Sequence, residues 1–247
     1  MDLSKQAFYD THWESWLDMK VHGPASRWLR FLIHCQIDAI ANVEGIQSVL
    51  DIGCGEGTTT HSLAKQLPNA QVVGVDVSRS PIQFASARYR RPNLKFLFDE
   101  SLEELDRQYD LVCAFEVLEH VEDWQELLRR ICRSATKLIC LSFPIGRMRR
   151  FEEKVGHYRN FKRGEVERAL SRCGFEARII FYAGFPFFSP IYRELCNAIF
   201  LTRPPLVTGK YGIGRIFLSQ SFYFLFRFLS SKHRFGDQFC GLFSVSS

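Results

Sequence analysis

The sequence predicts an α/β fold in which a mostly parallel, doubly wound sheet of seven strands is covered by helices. Two observations predict it. Short apolar runs typical of buried strands alternate with helical segments through residues 45–182. A glycine-rich turn, Gly53 to Gly57, joins the first of these strands directly to a helix. In doubly wound sheets, ligands bind at the carboxyl edge, where such turns lie.

The individual elements follow from local patterns. Residues 49–52 and 71–76 are apolar runs of strand length, and Pro81 suits the first turn of the helix after the second run. Gly174 is typical of the residue that ends a helix. The predicted strands are 49–52, 71–76, 94–98, 110–115, 137–143, 177–182 and 238–245, and the predicted helices between them are 58–67, 81–89, 116–134 and 162–173.

We expect a single domain, because 247 residues suit one α/β sheet with additions. Residues 1–44 are predicted to form an N-terminal helical lid, 45–182 the ligand-binding core, 183–237 an insertion and 238–247 the last strand. The lid combines an aromatic cluster with a helical stripe of apolar residues. The cluster is Phe8, Tyr9, Trp13 and Trp16, and the stripe is Leu29, Leu32, Ile33, Ile37 and Ile40.

Composition favours a cytoplasmic protein. The eight cysteines are scattered, with no Cys-x-x-Cys pair and no zinc spacing, which indicates reduced thiols. The first residues carry no apolar signal segment. No uncharged apolar run approaches the ~20 residues that span a bilayer.

The glycine turn and the next strand together predict a nucleoside-type ligand. Glycines at three alternate positions let the backbone turn sharply and approach a ligand closely, since none carries a Cβ. Asp76 ends the second strand, where a carboxylate accepts hydrogen bonds from both hydroxyls of a ribose. An ordinary turn aspartate is the less favoured alternative. Asp99 or Glu100 ends the third strand, and contact with an adenine amino group competes there evenly with a solvated acidic turn.

Three segments, VLDIGCGEG, VVGVD and YDLV…EVLEHVED, resemble the class I S-adenosylmethionine (SAM)-dependent methyltransferases, whose fold is Rossmann-like. The resemblance covers residues 45–182 and the last strand. NAD(P) is disfavoured, because the third glycine of its fingerprint is missing at the expected offset. The resemblance implies that Asp51, Gly53, Cys54, Gly55 and Gly57 line the methionine part of SAM, that Asp76 holds the ribose, that Val77, Glu100, Ser101 and Leu102 meet the adenine, and that Phe115 and Glu116 lie beside the sulfonium.

Candidate groups for the transfer follow the fourth and fifth strands. His120 and His157 are candidate bases, and Tyr158 is a candidate substrate contact. The competing interpretation of His157 and Tyr158 is packing at a helix start. Glu116, Glu119 and His120 are spaced to share one face of a predicted helix.

The same residues match the E-x-x-E-H of two metal-using families, the ubiquinone-pathway O-methyltransferases and the small-RNA 2′-O-methyltransferases. This resemblance implies a divalent metal on Glu116, Glu119 and His120, with His157 as a fourth ligand. Many small-molecule methyltransferases carry a similar motif without metal, and there the residues cap or pack the helix. The metal is therefore the less favoured interpretation.

The insertion holds all of the net basic charge. The whole chain carries +5, and from residue 184 onward seven Lys and Arg accompany two acidic residues. Its segment 211–229 is apolar nearly all round, so a helix there should be covered by something apolar. Packing on the core, a lid over a hydrophobic substrate pocket with Phe185, Phe187, Phe188 and Tyr192, and peripheral membrane contact remain open. Nucleic-acid binding is disfavoured, because the basic residues form no stripe.

The sequence therefore predicts a SAM-dependent methyltransferase acting on a small acceptor with a hydrophobic part. O-methylation is favoured over N- or C-methylation. The alternatives are an RNA methyltransferase and a non-catalytic SAM-binding protein. Neither the acceptor nor the oligomeric state follows from the residues.

Overall fold

The computed structural model describes residues 17–41, 45–202 and 209–246. Its strands are β1 (Ser48–Ile52), β2 (Gln71–Asp76), β3 (Leu94–Phe98), β4 (Tyr109–Phe115), β5 (Ala135–Pro144), β6 (Phe175–Ala183) and β7 (Gln238–Val245). They form one sheet in the order β3-β2-β1-β4-β5-β7-β6. Strands β1 to β5 pair in parallel, and β7 runs antiparallel between β5 and β6. The predicted doubly wound α/β fold is confirmed.

Helices connect the strands and form much of the insertion. They are α1 (Pro24–Ala41), α2 (Thr58–Gln66), α3 (Arg79–Arg88), α4 (Trp124–Ser134), α5 (Arg150–Lys154), α6 (Glu165–Arg172), α7 (Arg193–Thr202) and α8 (Ile213–Phe224), which continues as a π-helical turn, Leu225–Leu229. Residues 17–22 are also helical. The aromatic cluster predicted around Phe8 to Trp16 lies outside the described residues.

Two apolar layers enclose the sheet because side chains alternate along each strand. On β4, Val112 and Ala114 face the layer made with α4 and α6, whereas Leu111 and Cys113 face the layer made with α1 and α2. The α1 stripe buries Leu32, Ile33, Ile37 and Ile40, as its spacing predicts. Three buried cysteines act as small hydrophobic residues in the same layer. They are Cys113, Cys140 and Cys240.

The helix predicted at 116–134 is wrong in its first part. Glu116 has a left-handed backbone with φ of 57°, Leu118–His120 form a single 3₁₀ turn, and α4 begins only at Trp124. The amide of Glu116 donates to the carbonyl oxygen of Ser142 on β5 over 2.9 Å, which holds it at the edge of the sheet. Glu116, Glu119 and His120 therefore do not share one helix face.

One face of α8 and its π-helical turn packs on α1 and on the start of the insertion. Phe226 is only 1% exposed, and its ring lies 6.0 Å from Trp28 and 5.5 Å from Phe188, centroid to centroid. The Ser219 hydroxyl donates to the carbonyl oxygen of His22. This part of the insertion is therefore integral to the α1 layer.

We expect Phe226→Ala to lower the free energy of unfolding by about 3–4 kcal/mol, because it removes a buried ring and leaves a cavity. Chemical denaturation monitored by circular dichroism measures this change. Phe217→Ala is the matched control on the same helix, since that ring is 75% exposed. The control should change stability by less than about 0.5 kcal/mol. Equal effects of the two variants would contradict the assigned packing.

Candidate functional site

The glycine turn is built by backbone conformations that favour glycine. Gly53, Gly55 and Gly57 have φ of 64°, 53° and 78°. A Cβ on Gly53 would lie 2.6 Å from Val117 Cγ2, and one on Gly57 would lie 2.6 Å from the Phe96 ring. In front of Gly55 the space is open except for Lys20 Nζ, 3.5 Å from such a Cβ. Gly53 and Gly57 therefore serve close packing, and Gly55 is the one that leaves room for a ligand.

Asp76 connects the end of β2 to this turn. Its Oδ2 accepts from the Gly55 amide and its Oδ1 from the Ser78 amide, both over 2.9 Å. Burial raises the pKa of the carboxyl, and the two amides oppose that rise by stabilising the charged form. Each oxygen retains capacity to accept a further hydrogen bond. The aspartate thus fixes the turn and still presents acceptors to the adjacent cavity.

Asp51 is the most deeply buried acid of the turn region. Its Oδ2 accepts from the Thr60 hydroxyl over 2.6 Å. Among the described residues, no donor reaches the buried Oδ1. Burial raises the pKa of Asp51 to about 7, the Thr60 hydrogen bond opposes the rise, and the nearby Asp76 and Glu56 add to it. A buried oxygen without a donor at a cavity wall suits a ligand that brings its own N–H or O–H group.

The raised pKa makes stability of the ligand-free protein depend on pH. Folded Asp51 holds its proton up to about pH 7, whereas the unfolded side chain loses it near its ordinary value of 3.8. The tighter binding of this proton in the folded state stabilises the fold. The stabilisation is complete below pH 3.8, declines as pH rises and is absent above about pH 7. Its full size is up to about 4 kcal/mol.

We expect Asp51→Asn to vary less in melting temperature than the parent protein between about pH 5 and pH 8. Differential scanning fluorimetry without ligand measures this. Asp38→Asn, which changes an exposed carboxylate, should retain the parent dependence. Parallel curves for the parent protein and Asp51→Asn would show that Asp51 titrates normally.

A cavity of about 490 Å³ opens in front of the turn at the carboxyl edge of the sheet. It lies at the switch in strand order between β1 and β4, as doubly wound sheets predict. Most of the residues named from the sequence contribute to its wall. They are Asp51, Gly53, Cys54, Gly55, Asp76, Val77, Leu102, Phe115, Glu116, His120 and His157.

Five of the residues named for the cofactor, the transfer or the metal are not part of the cavity wall, and one of them, Glu119, is buried behind it. Glu100 and Ser101 are exposed and are not part of the cavity wall, because the chain turns away after β3. Gly57 begins α2 behind the turn. Tyr158 also lies off the wall, and its amide donates to the Glu119 carbonyl oxygen over 2.8 Å. Of the four residues assigned to the adenine, Val77 and Leu102 line the cavity, whereas Glu100 and Ser101 do not.

Glu116 is held by groups far apart in the chain. Its Oε1 accepts from the Ser142 hydroxyl and from Gln238 Nε2, each over 2.9 Å. Burial raises its pKa to about 7, and the two hydrogen bonds oppose that rise. A non-glycine residue with positive φ costs of the order of 1–3 kcal/mol and is concentrated at functional sites. Gln238, at the start of β7, thus completes the wall beside Phe115 and Glu116.

Two imidazoles meet on the far wall of the cavity. The rings of His120 and His157 lie 4.6 Å apart, centroid to centroid, at 80° to one another. Behind them Glu119 is buried, and no hydrogen bond reaches either carboxylate oxygen from the described residues. Burial raises the pKa of Glu119 well above its ordinary value, and the nearby charge of Glu116 adds to the rise. Ligand atoms of Glu119, His120 and His157 lie within 4.8 Å of one another.

Two cavity-lining cations were not anticipated from the sequence. Lys20 Nζ lies 3.8 Å from Glu56 Oε2 in the turn. The Arg30 guanidinium donates to the carbonyl oxygens of Lys20 and Val21. Burial lowers the pKa of Arg30. The chain before α1 and α1 itself therefore bring positive charge to the glycine turn. No local pattern marks these two residues, because their place depends on how α1 docks.

The fold is a doubly wound domain, and this site has the features of a pocket for a nucleoside-type ligand. A family model for a methyltransferase domain matches residues 50–137. The chain is also 33% identical over 98 residues to the ubiquinone biosynthesis O-methyltransferase of Pseudomonas syringae, covering 38% of this chain and 41% of that protein. It is 33% identical over 95 residues to the (S)-coclaurine N-methyltransferase of Thalictrum flavum, covering 37% and 26%.

Among solved structures, the magnesium protoporphyrin IX methyltransferase of Synechocystis with bound S-adenosylhomocysteine (SAH) superposes with a TM-score of 0.62 at 16% identity, covering 98% of each chain. The curated relatives match over only 26% to 43% of their own length. The chain therefore matches the methyltransferase-domain family over residues 50–137 and shares its fold with this solved methyltransferase.

The site residues fit the cofactor of that family. SAM carries an ammonium group, a carboxylate and ribose hydroxyls. The cavity offers carboxylate acceptors at Asp51 and Asp76, and cations at Lys20 and Arg30. The open side of Gly55 leaves room between them. These donors and acceptors complement both charges and the hydroxyls of the cofactor.

Proposed function

We propose that the protein transfers a methyl group from SAM to a hydroxyl of a small acceptor with a hydrophobic part. One observation carries the proposal: a single cavity joins the glycine turn to the His120–His157 pair. The turn is suited to the cofactor and the pair to an acceptor that must lose a proton. Both lie on one continuous wall, so donor and acceptor can be held together.

Cofactor binding is assigned to the strand ends at the glycine turn and to the two cations beside it. Asp76 accepts from the ribose hydroxyls, Asp51 accepts from the amino group, and Lys20 and Arg30 attract the carboxylate. SAM, when bound, would supply a methyl group on a sulfonium sulfur; the carbon–sulfur bond breaks as the acceptor oxygen bonds to the methyl carbon, and the neutral thioether of SAH is a good leaving group. Much of the acceleration can then come from positioning and from exclusion of water by the surrounding wall.

Removal of the proton from the acceptor hydroxyl is assigned to the histidine pair. A hydroxyl acceptor becomes a better nucleophile as its proton is removed, and imidazole is the usual base near neutral pH. We assign this step to His120, with the adjacent His157 ring orienting it. Glu119 lies behind the pair and favours positive charge there whenever it is ionised. An amine acceptor that is already neutral would not need this pair, which is why O-methylation is favoured.

The acceptor side of the cavity is largely apolar. Leu29, Phe151, Val155, Phe188 and Tyr192 contribute to it. The buried pair Arg193–Glu152 is also on the wall, but the charges satisfy one another. This lining favours a small molecule with an aromatic or aliphatic body over a polyanion. Phe188 and Tyr192 come from the insertion, so part of the predicted substrate lid is included in this assignment.

The test is methyl transfer from isotopically labelled SAM to a panel of phenols, carboxylic acids, amines and RNA. Mass spectrometry of the products identifies the methylated atom. We expect label on a hydroxyl oxygen of an apolar acceptor, and label only on a carboxyl oxygen would contradict the role assigned to the histidine pair. Label only on nitrogen, or only in RNA, would refute O-methylation of a small acceptor. Tight SAH binding without transfer to any acceptor would favour a non-catalytic binding protein.

We expect removal of divalent metal to leave turnover within about two-fold, because a base and positioning suffice for this transfer. Of the predicted ligands, Glu116 is engaged by Ser142 and Gln238, so at most Glu119, His120 and His157 converge. Turnover is measured after dialysis against EDTA and again after addition of Mg²⁺. A loss that Mg²⁺ restores would assign a cation to those three residues.

A further inference from the structure

One face of α8 and its π-helical turn is apolar and open to solvent. Ile213, Phe217, Phe224 and Phe228 are 90%, 75%, 57% and 62% exposed. At 3.6 residues per turn these four positions fall within an arc of about 60° around the helix axis. Leu218 and Leu229 extend the face and are 57% and 53% exposed. We call these six residues the outer face of α8.

The rest of the helix is firmly attached, so the outer face has a fixed orientation. Phe226 is buried against Trp28 and Phe188, and Ser219 bonds to the segment before α1. Three large aromatic rings on one exposed stripe are more than scattered surface residues, which are normal on any protein. Contiguous apolar patches of this kind mark surfaces that bind a partner or a membrane.

Basic residues border the outer face. The Arg227 guanidinium lies 3.6 Å from the centroid of the Phe31 ring, and Lys232 Nζ lies 4.7 Å from the same centroid. Lys210 is exposed just before α8. Within the described part of the chain, no carboxylate forms an ion pair with Lys210, Arg227 or Lys232.

The two acids of the insertion do not offset this charge at the outer face. Glu194 pairs with Arg147 and Arg149, and Asp237 pairs with Arg149 and Arg193. Their negative charge is therefore offset by these arginines within the domain. The outer face of α8 is therefore apolar, and its border carries Arg227, Lys232 and Lys210, the last with Asp18 nearby, which accepts from the Tyr211 amide over 2.8 Å.

We propose that the outer face of α8 docks the protein on the surface of an anionic lipid bilayer. An apolar stripe with basic flanks is the pattern of helices that lie in the membrane interface. Anionic headgroups complement Lys210, Arg227 and Lys232, whereas a second copy of the chain would bring the same positive border face to face. Among the described helices, none has the length and apolarity needed to cross a bilayer. The docking does not depend on methyl transfer.

The test uses the intact protein with vesicles of phosphatidylcholine alone and of phosphatidylcholine mixed with phosphatidylglycerol. Co-sedimentation measures the bound fraction at low and high salt. We expect binding to the anionic vesicles that weakens as salt rises, because screening reduces the attraction. Equal binding to both vesicle types, or binding to neither, would overturn the proposal.

Two sets of variants separate the apolar and basic contributions. Phe217→Ser combined with Phe224→Ser should lower partition into anionic vesicles by at least about ten-fold. Lys210→Glu combined with Lys232→Glu should lower it by more than roughly thirty-fold, because the loss of two attractive charges alone accounts for that factor and each reversal adds repulsion. The matched controls are Val245→Ser and the pair Lys65→Glu and Lys162→Glu, which change exposed residues on other elements.

The controls should bind as the parent protein does. Circular dichroism confirms that each variant is folded, which is expected because every changed side chain is solvent-accessible. Light scattering tests the competing occupant. A dimer that dissociates in the serine variant, with vesicle binding unchanged, would assign the outer face to a second copy instead.

Discussion

Replacing Asp76 with alanine should raise the Kd for SAH by about 30-fold or more. The substitution removes the acceptors proposed for the ribose, and hydrogen bonds to a charged group contribute about 1.5–3 kcal/mol each. It also leaves the Gly55 and Ser78 amides without their partner, which loosens the glycine turn. Isothermal titration calorimetry with SAH measures the affinity. Asp76→Asn should lie between the parent protein and the alanine variant, because the amide retains one acceptor oxygen.

The matched control is Asp110→Ala. Asp110 accepts from the amides of Gln47 and Ser48, so it also binds two backbone groups, but at the amino ends of β1 and β4. Its loss should lower stability and leave SAH affinity within about two-fold, since it lies on the edge opposite the cavity. Equal losses of affinity in both variants would indicate general destabilisation. Unchanged affinity in Asp76→Ala would refute the ribose assignment.

Replacing His120 with alanine should lower kcat by about 10²- to 10³-fold for the best oxygen acceptor, because the group assigned to the proton is lost. SAH affinity should remain within about two-fold, since the glycine turn is untouched. Added imidazole should restore part of the turnover, which a purely structural role would not produce. Steady-state rates with and without imidazole measure the effect.

His34→Ala is the control for His120. His34 is a half-buried histidine on α1 that hydrogen-bonds to Ser62 over 3.0 Å and does not line the cavity. Its loss should leave kcat unchanged. If His120→Ala retains parent turnover and His157→Ala does not, the base is His157. Retention of turnover in both variants would show that neither histidine acts as the base and that positioning alone accounts for the rate acceleration.

Patterns local in sequence were sufficient for the fold. Short apolar runs such as residues 71–76 have the length and composition of strands buried on both faces, and glycines at alternate positions permit the turn before α2. The α1 stripe likewise identified its buried side. The broken helix at 116–120 could not be foreseen, because the left-handed Glu116 depends on Ser142 and Gln238, which are distant in sequence.

The same distinction applies to the site. Asp51, Asp76 and Gly55 follow directly from strand ends and the turn, so their convergence could be predicted. Lys20, Arg30 and Gln238 reach the cavity only through packing of α1 and β7, and no motif announces them. The apolar pattern of residues 211–229 was enough to predict a helix that needs an apolar cover. Which side it would bury depended on Trp28 and Phe188, and its exposed stripe became visible only after folding.

The antiparallel strand β7 has a consequence for how the protein folds. It lies between β5 and β6, although the insertion separates it from both in sequence, and it carries Gln238 to Glu116. Strands β1 to β5 can pair through short crossovers, but β7 must close a long loop before its contacts form, and such closure slows folding. We therefore expect the cavity wall beside Gln238 to be one of the last parts to assemble. Lengthening the insertion should delay the appearance of cofactor binding during refolding more than it lowers equilibrium stability.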